Sequence, residues 1–203
     1  MTEWQPILGE TPIDPSGLVP RLCGVVRTRK QLDVEEAENI RRAIVKYLAG
    51  PPGTPSARKA PFDLNWILRL HREMLDRVWV YAGRVRTMEL NMGVPPWNVQ
   101  ADLENMLRDL RAWEDSGMPL AEQAAHVHYR AVHVHPFEGG NGRWARLLAN
   151  IWLKQHRARI VRWPEGGIGR TSPIRDEYMA ALRAADQGDR DALIELHRRY
   201  STP

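Results

Sequence analysis

The sequence predicts an all-α domain interrupted by one short β-hairpin, and three observations support that class. Apolar residues recur at helical spacing in successive segments from residue 33 onward. One stretch, Arg84-Val85-Arg86-Thr87-Met88-Glu89-Leu90, roughly alternates instead, and proline and glycine clusters separate the periodic segments. With 203 residues and 43% hydrophobic content, the chain is long enough to bury one proper core. It contains no internal repeat and no low-complexity tract.

Residues 1–32 read as an extended N-terminal arm, because Pro6, Gly9, Pro12, Pro15, Gly17 and Pro20 stand too close together for regular structure. Asp33 followed by Glu36 resembles a capping box that opens an N-terminal helix over 33–50. In it Ala37, Ile40, Ile44, Tyr47 and Leu48 keep helical spacing until Gly50-Pro51-Pro52 stops them. After a loop from Pro51 to Pro61, a second helix starts near Asp63. Its apolar face carries Leu64, Ile67, Leu68, His71, Met74 and Leu75, which places His71 in or beside the core. From Trp79 to Trp97 the alternating stretch, the turn Asn91-Met92-Gly93 and the pair Pro95-Pro96 give the hairpin. Helices then follow at about Val99 to Asp115, Pro119 to His133, Gly142 to Arg157 and Pro173 to Ala185, with a further one from near Asp189. Ser172-Pro173 is an N-cap followed by a first helical residue, and Gly188 separates the last two helices.

The stretch from His135 to Arg146, His-Pro-Phe-Glu-Gly-Gly-Asn-Gly-Arg-Trp-Ala-Arg, carries the chemistry. Gly140-Asn141-Gly142 can take positive φ and bring backbone N–H groups close to an anion. The helix that follows adds unpaired N–H donors and the positive end of its dipole. Arg143 and Arg146 stand one turn apart, so two planar guanidinium forks can grip one polyphosphate. His135, just upstream, is placed to take a proton from an attacking hydroxyl. A metal hydrolase built on His126, His128, His133 and His135 is the rival chemistry. His126 and His133, at i and i+7, are roughly 10 Å apart along a helix, too far to share one ion, so structural roles suit the first three.

This string resembles the signature of the Fic (Fido) family, His-Pro-Phe-x-Asp/Glu-Gly-Asn-Gly-Arg-x-x-Arg, at every position but one. Tyr81-Ala82-Gly83-x-x-Arg86 is similar to the segment leading into that family's flap, and the run from Tyr178 to Asp189 is similar to its C-terminal helices. The resemblance covers about residues 60–200 and implies a Fic/Fido helical bundle with a hairpin flap that docks a target protein. The activity implied is AMPylation: transfer of AMP from ATP to a Ser, Thr or Tyr hydroxyl. By position, His135 would be the base, Phe137 an apolar anchor and Asn141 a ligand of the α-phosphate. Gly140 and Gly142 would form the anion cradle, and Arg143 and Arg146 would hold the outer phosphates.

The departure is Gly139, where the pattern has the acid that holds Mg²⁺. Three readings stay open for Mg²⁺ or Mn²⁺: Glu138 reaches the ion through a shifted turn, water and phosphates alone hold it, or the chemistry is lost or changed. The alternatives to AMPylation are therefore a catalytically impaired nucleotide-binding module or transfer of another phosphate-containing group. The resemblance also implies a possible inhibitory helix, because Glu38-Asn39 matches the end of a Ser/Thr-x-x-x-Glu-Gly/Asn pattern whose glutamate pairs with the second arginine, here Arg146. Val34 replaces the Ser or Thr. Thr11-Pro12-Ile13-Asp14-Pro15 and Thr-x-x-x-Leu and Glu-x-x-Asn-Ile elements resemble the subgroup called mobile mystery protein B. That subgroup implies a toxin-like role and a helix-turn-helix partner, mobile mystery protein A.

Composition limits other classes. Net charge is +4 with no dense basic block, which gives no argument for direct nucleic-acid binding. Cys23 is the single cysteine, so the expectation is a reducing, cytoplasmic setting. No apolar run is long enough to span a membrane, and the N-terminus lacks the features of a signal peptide.

Overall fold

A computed structural model describes residues 14–169 and 171–201, and these residues are helical with no strand ladder. Eight α-helices follow in order: α1 (Arg29–Leu48), α2 (Leu64–Leu75), α3 (Val99–Asp115), α4 (Leu120–Val134), α5 (Asn141–Gln155), α6 (Glu165–Ile168), α7 (Pro173–Asp186) and α8 (Asp191–Arg199). The pair α4 and α5 forms the centre, with α1 and α2 against α5 on one side and α3, α7 and α8 around α4. Eleven residues of α5 are buried, among them Trp144, Leu148, Ile151 and Trp152, so this helix is the hydrophobic spine of the domain. Trp152 also donates its indole N–H to Gln123 Oε1 of α4 (3.0 Å), while Gln123 Nε2 donates to the carbonyls of Trp113 and Met118. That buried amide therefore fixes the packing of α3, α4 and α5 with its polar atoms satisfied.

The start of α1 differs from the expected capping box at Asp33 and Glu36. Thr28 Oγ1 accepts from Gln31 N–H, and Gln31 Oε1 accepts from Thr28 N–H, so the box lies five residues earlier and takes four further residues into the helix. Asp33 is instead paired with Arg29 one turn back. Of the N-terminal arm, residues 1–13, which include the Thr11-Pro12-Ile13 element, lie outside the described residues. The part from residue 14 is not simply extended: it makes two short 3-10 turns and buries Leu18, Leu22 and Val26 in the core. Val19 N–H donates to Val78 O (2.9 Å) and Val80 N–H to Gly17 O (3.0 Å), laying this segment antiparallel beside residues 78–80.

The expected hairpin at 79–97 is absent, and residues 84–95 form an irregular loop. The alternation does not mark two faces of a strand, since Arg86 turns inward while Met88 is exposed. The Arg86 side chain is 2% exposed, and its guanidinium donates to the carbonyls of Met88, Val94 and His135. Loop carbonyls that a β-ladder would pair with N–H groups are satisfied by one cation instead.

Three histidines sit inside the bundle. His71 lies under the turn before α5, while His128 Nδ1 and Nε2 are within hydrogen-bond distance of His197 Nε2 (2.9 Å) and Tyr178 Oη (3.0 Å). Burial holds all three neutral, pushing His71 and His197 down to about 3 and His128 well below the usual range. The unfolded chain therefore binds more protons than the folded one below pH about 6.5, and stability falls as pH drops from there toward the depressed folded values. The unfolding free energy should be flat from pH 8 to 7 and then decline, with a limiting slope of about 1.4 kcal/mol per pH unit for each such histidine, and the denaturant midpoint should fall with it. Urea titrations at constant ionic strength test this, and a midpoint unchanged down to pH 5 would contradict it.

Candidate active site

The site forms where α4 stops and α5 starts. Residue His135 ends α4 in the left-handed region (φ 51, ψ 60), a conformation glycine usually supplies, and Gly140 (φ 78) caps α5. Between them the turn is stapled from inside. Phe137 is fully buried, stacked on His71 at 3.6 Å between ring centres and edge-on to Trp144. His71 accepts from Gly83 N–H at Nδ1, so its Nε2–H donates to Gly139 O, both at 2.9 Å. Asn141 uses both ends of its amide on the backbone of Phe137, accepting from its N–H and donating to its carbonyl. The family resemblance implies a phosphate-binding role for Asn141, whereas its side chain here shapes the turn, leaving the N–H groups of the first turn of α5 to face an anion. At Gly140 an added Cβ would lie 2.5 Å from Leu75 Cδ1, so the cradle has no room for a side chain there.

His135 lies beneath the 84–95 loop: a Cβ on Gly93 would come within 2.5 Å of His135 Cβ. Arg86 Nε donates to His135 O (2.7 Å), and Arg86 N–H donates to Pro136 O (2.9 Å). Burial and then the Arg86 charge push the His135 imidazole down to about 4, with a hydrogen bond to the Val132 backbone opposing them. The imidazole is unprotonated at neutral pH and able to accept a proton.

Arg143 and Arg146 reach the same cavity, about 730 Å³ in volume, and carboxylates hold both. Arg143 Nη1 bonds Glu36 Oε2 at 2.7 Å, and Trp79 Nε1–H donates to the other oxygen of Glu36 at 2.7 Å. Burial alone would raise Glu36, but the Arg143 guanidinium, with the Trp79 bond, holds it below the usual carboxylate range. Arg146 forms a two-point pair with Glu165 of α6, and its remaining nitrogen donates to Tyr178 Oη. The expected pairing of Glu38 with Arg146 is not present. Glu38 is exposed and holds Arg41 through both oxygens. Two residues along a helix are a rotation of about 200°, so a helix that turns Glu36 to the site turns Glu38 to solvent.

Gly139 lies directly against Tyr81: an added Cβ would be 2.7 Å from the tyrosine hydroxyl. Glu138 stands beside it on the cavity rim. Among the described residues no group of three or more His, Cys, Asp or Glu is arranged to hold a metal ion, and Glu138 is the carboxylate of the turn itself. Sequence reasoning missed Glu36 and Glu165 as partners of the arginines, and missed what Tyr81 and His71 do at the turn. Part of the signal was present, since Glu36 and Asn39 belong to the Glu-x-x-Asn-Ile element and Tyr81 opens the Ala-Gly-x-x-Arg segment.

Comparison with known proteins places the chain's similarities in one family. Residues 61–153 match the Fic/DOC family. Protein adenylyltransferase fic-1 of Caenorhabditis elegans is 34% identical over 144 residues, 68% of this chain and 27% of the relative. Protein adenylyltransferase Fic of Drosophila virilis is 32% identical over 139 residues, 65% of this chain and 27% of the relative. The chain thus spans about a quarter of the length of these curated relatives. Among solved structures, Fic-1 (residues 134–508) from C. elegans superposes with a TM-score of 0.66 at 28% identity, covering 85% of this chain and 49% of that one. The BepC protein of Bartonella tribocorum, solved with bound AMPPNP, shares the fold with a TM-score of 0.64 at 16% identity, covering 86% of this chain and 88% of that one.

Replacing Arg86 by Met keeps the bulk of its stem and removes its charge. The His135 imidazole should then titrate above about 4, because a repelling cation is gone, while stability falls by about 2 kcal/mol or more as the loop carbonyls lose their donor. An NMR titration of His135 and a denaturation curve read both effects, and an unmoved His135 titration would show that the Arg86 charge is not felt there.

Proposed function

The chain carries a Fic/DOC family domain, and on that premise we propose that it transfers AMP from ATP to a hydroxyl side chain of a target protein. The carrying observation is the neutral, buried His135 imidazole placed beside a glycine turn, a helix N-terminus and two arginines on one cavity wall. In the proposed step the Ser, Thr or Tyr oxygen of the target attacks the α-phosphorus and its proton passes to His135. The bond from that phosphorus to the bridging oxygen breaks, and pyrophosphate leaves. Bound phosphate charge raises the His135 pKa from its resting value, which strengthens it as a base. Gly140, Gly142 and the first turn of α5 cradle the phosphates, with Arg143 and Arg146 on the outer ones. The irregular loop at 84–95, which covers His135, takes the place of a hairpin flap in receiving the target segment.

The resting site is restrained, with Glu36 and Glu165 occupying the arginine forks that phosphates would use. Glu36 rather than Glu38 is the glutamate of α1 in that role. A nucleotide-binding module with impaired transfer is the second reading, favoured by Gly139. If Mg²⁺ or Mn²⁺ accompanies the nucleotide, Glu138 is the nearest carboxylate of the turn. A toxin-like role within the mobile mystery protein B subgroup, a helix-turn-helix partner and a cytoplasmic setting complete the proposal. No helix of the described residues is long and apolar enough to cross a membrane.

Incubation of lysate with α-labelled ATP, with and without Mg²⁺ or Mn²⁺, should label a protein target, and His135→Ala should abolish the label. Glu36→Gln, which weakens the hold on Arg143, should increase labelling several-fold. Label that persists in His135→Ala would exclude this base, and nucleotide binding without any transfer would select the second reading.

A further inference from the structure

We propose that the Tyr81 hydroxyl is a phosphate-binding group of this site, occupying the space at Gly139 where a side chain would otherwise stand and donating its hydrogen bond directly to a nucleoside polyphosphate. The inference rests on the nucleotide reading above but concerns how the phosphates are held.

The space is the first argument. Because a Cβ on Gly139 would lie 2.7 Å from Tyr81 Oη, the hydroxyl and any side chain at that position exclude one another. Tyr81 Oη also sits over the glycine turn on the cavity wall shared with Gly140, Asn141, Gly142 and Arg143, and makes no hydrogen bond to any described residue. A donor aimed into an anion cradle without a protein partner is suited to a ligand oxygen.

The second argument is fixation. The Tyr81 ring stacks on Trp79 at 5.1 Å and 23°, and Gly17 borders it, where an added Cβ would come 3.3 Å from Tyr81 Cε1. Trp79 is itself tied to Glu36 through its indole and bridged to Leu18 by backbone pairing. The hydroxyl is thus held in place before a ligand arrives, so binding spends little entropy in ordering it.

The third argument is charge. Burial, and then the Glu36 and Glu138 carboxylates, push the Tyr81 phenol far above neutrality, so it remains an O–H donor at any working pH. A carboxylate at position 139 would repel a phosphate unless a cation lay between them, whereas a neutral hydroxyl bonds the phosphate oxygen itself. With Tyr81 in that place, the turn, the two arginines and the hydroxyl form an anion site that has no need of a carboxylate-held cation.

The test is the affinity for ATP, by calorimetry, in EDTA and in excess Mg²⁺, for wild type, Tyr81→Phe and the double variant Tyr81→Ala/Gly139→Asp. Wild type should bind in EDTA within about threefold of its affinity in Mg²⁺. Tyr81→Phe, which keeps the ring and its stack, should weaken binding in EDTA about tenfold, the worth of a hydrogen bond to a charged group. The double variant should bind only with Mg²⁺, and thermal melts of all three confirm folding. Wild-type affinity in Tyr81→Phe, or loss of wild-type binding in EDTA, overturns the proposal. These outcomes are separate from the fate of the transfer reading. Tyr81-dependent binding with no transfer of α label keeps the assignment of Tyr81 and removes the transfer, whereas transfer with no dependence on Tyr81 does the reverse.

Discussion

The buried guanidinium of Arg86 is the constraint on which the site depends. Carbonyls from two chain segments far apart in sequence, Met88 and Val94 in the loop and His135 at the end of α4, converge on it. Without a shared donor these oxygens would face one another inside the protein, each carrying the desolvation cost of an unpaired carbonyl. A lysine has one nitrogen and cannot serve directions this divergent, whereas a planar guanidinium can. The left-handed backbone at His135 gains a compensating partner by the same contact, since its carbonyl accepts from Arg86 Nε at 2.7 Å. The left-handed backbone is thereby tied to the position of the proposed base, and the same cation also lowers the His135 pKa.

A cradle for phosphates is unfavourable to leave open, because two arginines and a helix N-terminus concentrate positive charge in a partly dehydrated cavity. The fold answers with one carboxylate for each arginine, drawn from two different elements that line the cavity. Glu36 comes from the long, capped helix α1, whereas Glu165 comes from the four-residue α6 and is half exposed. The two pairs therefore differ in what a competing anion must overcome. Releasing Glu165 returns a carboxylate to water, but releasing Glu36, whose side chain is 5% exposed, leaves a buried charge that keeps the Trp79 N–H and the Arg29 charge but loses its ion pair.

Most of the helical frame was legible in the sequence because local rules decide it. The apolar stripe of α2 and its Asp63 cap, the Ser172-Pro173 start of α7 and the extents of α3 to α5 follow from spacing and caps within a turn of each terminus. The errors share a different cause. Arg84 to Leu90 alternates as a strand does, but alternation cannot reveal whether a ladder partner exists, and Arg86 satisfied the carbonyls instead. Glu38 matched a pattern of letters, whereas the side of α1 that meets α5 is chosen by tertiary packing. Glu165 lies in Pro164-Glu165-Gly166-Gly167, which has no periodicity to read. The turn itself was visible as glycines and arginines. Its stapling by His71 was not, because a contact across 68 residues leaves no local trace.

The unusual position in the motif and the restraint on its arginine belong to one chain of contacts. Gly139 admits the Tyr81 hydroxyl, Tyr81 stacks on Trp79, Trp79 bonds Glu36, and Glu36 holds Arg143. Glu36 is anchored from behind as well: Asn39, one turn along α1, donates to Glu73 O and accepts from Arg77 N–H, fastening α1 to the end of α2. Rotation of α1 to withdraw Glu36 would break that buried amide pairing, so the helix cannot yield cheaply. An incoming phosphate has to take Arg143 from Glu36 while the carboxylate stays close, and the mutual repulsion of two anions at one guanidinium opposes it. A neutral donor at Tyr81 and the N–H groups of α5 are the parts of the cradle unaffected by that competition. They set the affinity from which any release of Arg143 begins.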